Sequence, residues 1–195
     1  TLGVSPDVII EPTCGVGAFV IASVNYFSST KKVYGIDINS DYLDVLEGAL
    51  CGHPLQNVVS IEHGDFFRYD WVGKSSDVDG NLLVLGNLPW VTNTVQSKID
   101  SYNVPEKDNV VGLGGLDAIT GKANFDISEW MMIDMLKWSP GKKIDIAIML
   151  KTAVARKILS YVEKHKIGCY YSEIITVDAR KEFGASVDAC FFIMR

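Results

Sequence analysis

Residues 8–17, Val8-Ile-Ile-Glu11-Pro-Thr13-Cys-Gly15-Val-Gly17, have the pattern from which we predict the fold of this chain. Residues 8–13 form a mostly apolar run that is typical of a buried strand, and a helical pattern follows over residues 17–27. The two glycines allow the tight turn that joins a buried parallel strand to the helix after it. The stretch therefore predicts the first strand and the first helix of an open α/β sheet.

Strand and helix patterns continue to alternate after this stretch. Further strands are predicted at residues 32–38, 58–66, 82–85, 144–150, 170–177 and 189–194. A second helix is predicted after an N-cap at Ser40, with an apolar face of Tyr42, Leu43, Val45, Leu46, Ala49 and Leu50. Two more helices are predicted, one over 127–138 that ends at Ser139-Pro140-Gly141 and one over 153–166. The last two strands are joined without a helical pattern, so we expect them to pair antiparallel. This order predicts a mostly parallel sheet with helices on both faces.

Composition narrows the class of protein. The chain has 195 residues, 48% of them hydrophobic, with 18 basic and 24 acidic residues and a net charge of −6, which is typical of a compact domain with its own core. No apolar run approaches the roughly 20 residues that a membrane helix needs, and we expect a cytoplasmic protein. The four cysteines, at 14, 51, 169 and 190, are too far apart for a local zinc or CxxC motif, so no metal is expected. The acidic balance predicts weak binding of nucleic acid by this chain alone.

The turn after the first strand indicates which ligand the sheet binds. In an open parallel sheet, ligands bind beyond the carboxyl ends of the strands. A nicotinamide-type motif needs a third small residue at position 20, where this chain has Val20. Glu11 would repel a pyrophosphate and suits a ligand with positive charge. S-adenosylmethionine is such a ligand.

The next two strand ends carry residues that match other parts of the same ligand. Asp37 follows Gly15 by 22 residues, a spacing at which an acid can accept hydrogen bonds from ribose hydroxyls. Asp65 can accept from an adenine amino group, and Phe66 can stack on the ring. Each feature alone is also typical of a helix cap or a turn. Together, however, the glycine turn, Asp37 and the Asp65-Phe66 pair lie on three successive strand ends, in the order expected for binding a nucleoside through its ribose and adenine.

The fourth strand end, Asn87-Leu88-Pro89-Trp90, suits a planar amine. The amide oxygen of Asn87 and the carbonyl of Leu88 can accept its two hydrogens, which directs the nitrogen lone pair towards a methyl donor. Pro89 restricts the rotation of that carbonyl, and Trp90 offers a flat surface for an extruded base. The alternative is a proline turn with an incidental tryptophan.

This ordered set of motifs resembles the N6-adenine DNA methyltransferases of the gamma motif order, over nearly the whole chain. The resemblance implies a Rossmann-like methyltransferase fold with seven strands, the last antiparallel. It implies methyl transfer from S-adenosylmethionine to adenine N6 in DNA, within a restriction-modification type system. It also implies one catalytic domain over residues 1–195 and a target-recognition domain absent from this chain, so that DNA is recognised through a missing domain or a partner subunit.

The resemblance also implies roles for individual residues. Asn87, Leu88, Pro89 and Trp90 are catalytic, and Trp90 and Phe183 contact the substrate base. The implied cofactor-binding residues are Glu11, Thr13, Cys14, Gly15, Gly17, Asp37, Ile38, Asp65, Phe66, Asn87 and Trp130. The segment 91–124 is expected to be a mobile loop beside the active site.

Two departures from the family keep other functions open. Leu88 stands where the family usually has proline, and Asn-Leu-Pro before an aromatic residue is better known from rRNA adenine dimethyltransferases. Residues 1–7 are too short for the family's usual N-terminal cofactor motif. The alternatives that share the chemistry are an RNA adenine methyltransferase and a protein glutamine N-methyltransferase. Two further alternatives are disfavoured: an inactive binding subunit of the same fold by the intact Asn87, Pro89 and Trp90, and an oxidoreductase with a nicotinamide cofactor by Val20 and Glu11.

Overall fold

The computed structural model describes residues 3–90, 126–138 and 143–195. The sheet strands are β1 (Val8–Glu11), β2 (Lys32–Asp37), β3 (Val59–His63), β4 (Leu82–Asn87), β5 (Ile144–Lys151), β6 (Ser172–Val177) and β7 (Ala189–Met194). The helices are α1 (Ala18–Tyr26), α2 (Ser40–Leu50), α3 (Trp71–Ser76), α4 (Ile127–Met135), α5 (Thr152–Lys164) and α6 (Ala179–Phe183), with a 3-10 turn at Gln56–Val58. The expected loop at 91–124 and the end expected for the 127–138 helix at Ser139-Pro140-Gly141 lie outside the described residues.

The seven strands form one sheet in the order β3-β2-β1-β4-β5-β7-β6. Strands β1 to β5 pair in parallel, and β7 runs antiparallel to both β5 and β6. The predicted fold class, a mostly parallel sheet with an antiparallel last strand, is therefore confirmed. The strand order reverses direction between β1 and β4, and ligands of open α/β sheets bind at such a switch point.

Alternating side chains of the strands fill two cores, one on each face of the sheet. Ile9, Val33 and Leu83 pack against α1 and α2 on one face. Ile10, Val84 and Ile146 pack against α3, α4 and α5 on the other. Both faces of the central strands are buried, which explains why these strands read as continuous apolar runs in the sequence. None of the helices within the described ranges is long and apolar enough to cross a membrane.

Several details differ from the sequence predictions. The N-cap of α2 is Asn39, whose side chain accepts from the backbone N–H groups of Asp41 and Tyr42, and Ser40 is the first helical residue. The buried face of α2 is Leu43, Leu46 and Leu50, with Tyr42 and Val45 exposed. The predicted face was too wide because residues spaced three and four apart form a narrower stripe.

Two short helices were also missed. Helix α3 has six residues and α6 has five, too few to show a helical period in the sequence. Each follows an aspartate, Asp70 or Asp178, whose side chain caps the first turn. The connection between β6 and β7 is therefore partly helical, although the two strands pair antiparallel as expected.

Candidate active site

A cavity of about 490 Å³ lies beyond the carboxyl ends of β1, β2 and β4, where the strand order reverses. Its volume is within the range of small-molecule sites. The residues that line it come from four strand ends and from α4: Pro12, Thr13, Asp37, Ile38, Gly64, Phe66, Phe67, Asn87, Leu88, Pro89, Trp90, Ile127 and Met131. The cavity thus unites residues from all four predicted strand ends.

The glycine turn supports the cavity from behind. Gly15 and Gly17 both have left-handed backbone, with φ of 53° and 85°, a conformation that residues with a Cβ rarely adopt. The Gly17 N–H donates to the Cys14 carbonyl at 2.8 Å, and Gly17 is the N-cap of α1. Cys14, Gly15 and Gly17 do not themselves line the cavity. Their visible effect is to shape the turn that carries Pro12 and Thr13.

Asp37 ends β2 with its carboxylate held in one orientation. Oδ2 accepts from the Gly15 N–H at 2.8 Å, and Oδ1 accepts from the Asn39 N–H at 2.9 Å. Each carboxylate oxygen can accept more than one hydrogen bond, so both can still accept from a ligand. The structure places Asp37 and the next residue, Ile38, on the cavity wall.

The wall next to β3 differs in detail from the prediction. Phe66 lines the cavity but is only 4% exposed, and its ring packs against Trp71 and Trp138 with centroids 5.3 and 5.8 Å apart. Phe67, which the sequence analysis missed, lines the cavity too. Asp65 does not, and its Oδ1 accepts from the Phe67 N–H at 2.9 Å.

Helix α4 presents a different residue from the one expected. Trp130 is partly buried and does not line the cavity, whereas Ile127 and Met131 do. Ile127 and Met131 are four positions apart and share a helix face. The spacing of Ile127 and Met131 could have indicated that both lie on one face of α4, but it does not show which face of the helix is turned to the cavity.

Two backbone contacts fix Asn87 and Leu88 at the cavity. The Asn87 carbonyl accepts from Thr13 Oγ1 at 3.3 Å, and the Leu88 N–H donates to the Met149 carbonyl on β5 at 3.2 Å. The Leu88 side chain is 1% exposed and anchored in the core. Within the described residues, the Asn87 side-chain amide and the Leu88 carbonyl have no hydrogen-bond partner. Asn87 and Leu88, which both line the cavity, therefore offer two acceptors that no donor within the described ranges occupies.

An aromatic pair lies next to these acceptors. Trp90 lines the cavity, and the ring of Phe183, at the end of α6, meets it edge to face with centroids 5.8 Å apart. Phe183 is 51% exposed, so much of its surface is open to a ligand. The two residues that the sequence analysis assigned to a substrate base are thus neighbours in the fold.

Glu11 is brought to the site but not to its surface. It is 2% exposed, and burial raises the pKa of its carboxyl well above the ordinary range, with a smaller contribution from the charge of Asp37. Burial likewise raises the pKa of the neighbouring Cys14 thiol, which keeps it protonated and unreactive. In the described ranges no group of three or more His, Cys, Asp or Glu residues is placed to hold a metal ion.

A search of known proteins finds a methyltransferase that is similar to this chain. The chain is 44% identical over 194 residues to the type II methyltransferase M.NspV of Nostoc sp., covering 100% of this chain and 40% of that protein. The chain thus spans less than half of that relative. No protein-family model matches the present chain.

Solved structures show the same fold at low identity. A dimethyladenosine transferase from Plasmodium falciparum matches with a TM-score of 0.59 and 16% identity, over 97% of this chain and 56% of that one. TrmK of M. capricolum, solved with S-adenosylhomocysteine, matches with a TM-score of 0.55 and 13% identity, over 100% of this chain and 64% of that one. The architecture is therefore that of the Rossmann-like methyltransferases.

Proposed function

We propose that this chain, which is similar along its own whole length to 40% of a type II methyltransferase, transfers a methyl group from S-adenosylmethionine to the N6 amino group of adenine in DNA. The observation that carries the proposal is the pair of acceptors at Asn87 and Leu88, which have no donor within the described residues, in one cavity with Asp37 and next to the Trp90–Phe183 pair. Amine recognition, nucleoside binding and base stacking are thus combined at one site.

The cavity residues fit S-adenosylmethionine. Asp37 presents a fixed carboxylate to the ribose hydroxyls. Phe66, Phe67, Ile127 and Met131 form an apolar wall for the adenine ring. The nearby carboxyls of Glu11 and Asp37 suit a ligand with positive charge, and no lysine or arginine of the described residues lines the cavity. When bound, the cofactor supplies an electrophilic methyl carbon attached to a sulfonium.

The chain's own residues prepare the amine. The lone pair of an exocyclic amino nitrogen is delocalised into the ring. Acceptance of its two hydrogens by Asn87 Oδ1 and the Leu88 carbonyl favours the pyramidal nitrogen that can attack. Pro89 holds the carbonyl direction. Removal of one such donor or acceptor from a preorganised site typically costs about 100- to 1,000-fold in rate.

Trp90 and Phe183 hold the target base outside its helix. Stacking of a base on an aromatic side chain contributes about 1–3 kcal/mol, which helps to offset the cost of extrusion from the duplex. The chain carries a net charge of −6, so most contacts with the DNA backbone come from a domain or subunit outside these residues. We place the reaction in the cytoplasm, as part of a restriction-modification system.

An RNA adenine methyltransferase is the second candidate, and the observation that favours it is Leu88, at the position where the DNA enzymes usually have proline. The test is transfer of a radiolabelled methyl group to duplex DNA, RNA and protein, followed by mass spectrometry of the labelled nucleoside. We expect N6-methyladenine from DNA. Labelled RNA, labelled protein, or a methylated cytosine amino group would each correct the proposed target.

Asn87→Ala tests the mechanism, and Asn57→Ala, at an exposed residue of the 3-10 turn, is the matched control. We expect Asn87→Ala to lower kcat about 100- to 1,000-fold, because one of the two acceptors for the amine is removed. The control keeps full activity. Equal activity of the two variants would contradict the proposed role of Asn87.

A further inference from the structure

The last residue of β1, Glu11, has a buried carboxyl with no cation next to it. It is 2% exposed, and its Oε2 atom has no hydrogen-bond partner within the described residues. None of the ion pairs found in these ranges includes Glu11. An ionised carboxylate in such a place has lost its hydration and has no cation to compensate for that loss, so the neutral acid is favoured.

Within the described residues, the groups that face Glu11 come from the turn after β1 and from β2, α1 and β4. The turn contributes the Cys14 thiol, β2 the Asp37 carboxylate, and the first turn of α1 the Val20 N–H. Strand β4 contributes Gly86, where a Cβ would lie 3.4 Å from Glu11 Cγ. The Val20 N–H is the one group here that favours the ionised form. Nothing in this set supplies a positive charge.

The missing positive charge can come from the cavity. Glu11 directly precedes Pro12 and Thr13, which form part of the cavity wall, and Asp37 lies on that wall as well. A cation in the cavity would therefore act on Glu11 through buried protein, where charges interact more strongly than in water. S-adenosylmethionine has a sulfonium cation, whereas its product S-adenosylhomocysteine has a neutral thioether in the same place.

Resting on the proposed function, we propose that Glu11 adjusts its charge to that of the cofactor. The carboxyl keeps its proton when the cavity is empty or contains the thioether product. When the sulfonium form binds, the O–H bond breaks, the electron pair stays on the carboxylate oxygen, and the proton passes to the solvent. Binding of the sulfonium form then strengthens with pH, whereas binding of the product does not. Glu11 thus selects the cofactor over its product.

Isothermal titration calorimetry of the protein with each ligand tests this inference. Titrations in phosphate and in Tris, which differ in ionisation enthalpy, give the number of protons released at each pH from 6 to 8. We expect S-adenosylmethionine to release up to one proton and S-adenosylhomocysteine none. The Kd of S-adenosylhomocysteine divided by the Kd of S-adenosylmethionine should rise with pH, by at most tenfold per pH unit for one linked proton.

Glu11→Gln removes the titrating group and keeps the shape, and Glu47→Gln, at an exposed site on α2, is the matched control. The Glu11 variant should lose proton release and show a ratio of Kd values that does not change with pH, whereas the control should match the native protein. If both ligands release equal numbers of protons, or if Glu11→Gln keeps the release, the inference is wrong and the proposed function stands. If neither ligand binds, the inference and the proposed function both fail. The comparison of proton release between the two ligands needs only the native protein, so it tests the inference even if Glu11→Gln does not fold.

Discussion

Replacement of each glycine in the turn by alanine should have very different effects on stability. Both glycines have left-handed backbone, which costs an alanine about 1–2 kcal/mol. At Gly15 a new Cβ would meet no atom within 4 Å, but at Gly17 it would clash with Cδ1 of Leu46 on α2 and lie 2.9 Å from its Cγ and Cδ2. Overpacking of this kind adds about 1–3 kcal/mol. We expect a loss of about 1–2 kcal/mol for Gly15→Ala and about 2–5 kcal/mol for Gly17→Ala.

Urea denaturation, monitored by circular dichroism, measures these losses. With a slope of about 2 kcal/mol per molar urea, the midpoint should fall by roughly 0.5–1 M for Gly15→Ala and by roughly 1–2.5 M for Gly17→Ala. Leu46→Ala removes the atoms that clash, so a double-mutant cycle isolates the overpacking. The coupling between positions 17 and 46 should equal about 1–3 kcal/mol, the overpacking cost.

Two results would contradict close packing of α2 on the glycine turn. Equal losses at Gly15 and Gly17 would show that backbone conformation alone sets the cost and that α2 does not pack closely on the turn. Zero coupling with Leu46→Ala would show that the clash is relieved by movement elsewhere. Either result would mean that the turn is less tightly held between β1 and α2 than its geometry indicates.

Three further predictions concern the cavity and its supports. Asp37→Asn should weaken binding of S-adenosylmethionine at least tenfold by calorimetry, because it loses the carboxylate held by Gly15 and Asn39; an unchanged Kd would contradict the assignment to ribose. Trp71→Phe removes the 2.7 Å hydrogen bond that Trp71 Nε1 donates to the Phe66 carbonyl. It should lower the free energy of unfolding by about 1–3 kcal/mol and raise KM for the cofactor more than it changes kcat. A change in kcat alone would argue against a role of Trp71 in supporting the cavity wall. Glu11→Gln should become more stable relative to the native protein as pH rises above 4.5, the ordinary pKa of a glutamate, by at most about 1.4 kcal/mol per pH unit. The reason is that the raised pKa of Glu11 makes the folded state keep a proton that the unfolded chain releases, so the stability of the native protein falls with pH. A constant difference in unfolding free energy between the two proteins, measured by urea denaturation from pH 5 to 8, would show that Glu11 titrates normally.

Much of the fold was readable because the strands are short apolar runs that alternate with helical patterns. The parallel order and the final antiparallel strand followed from those patterns and from the family resemblance, and both are confirmed. Helices α3 and α6 were missed because each is shorter than two turns. The width of the α2 face was overestimated because Tyr42 and Val45 are apolar but lie on the solvent side. A residue's polarity does not show whether tertiary packing covers it.

The candidate site divides in the same way. The strand ends that meet at the site could be predicted from the alternating pattern, because the carboxyl ends of parallel strands lie at one edge of a sheet. The side chains that face the cavity could not be predicted in this way: Phe67 and Met131 line it, whereas Trp130 does not and Glu11 is buried. The tertiary structure also brings Phe183 against Trp90, 93 positions earlier in the chain. Side-chain direction and long-range contacts depend on how helices pack on the sheet, and local sequence patterns do not encode that packing.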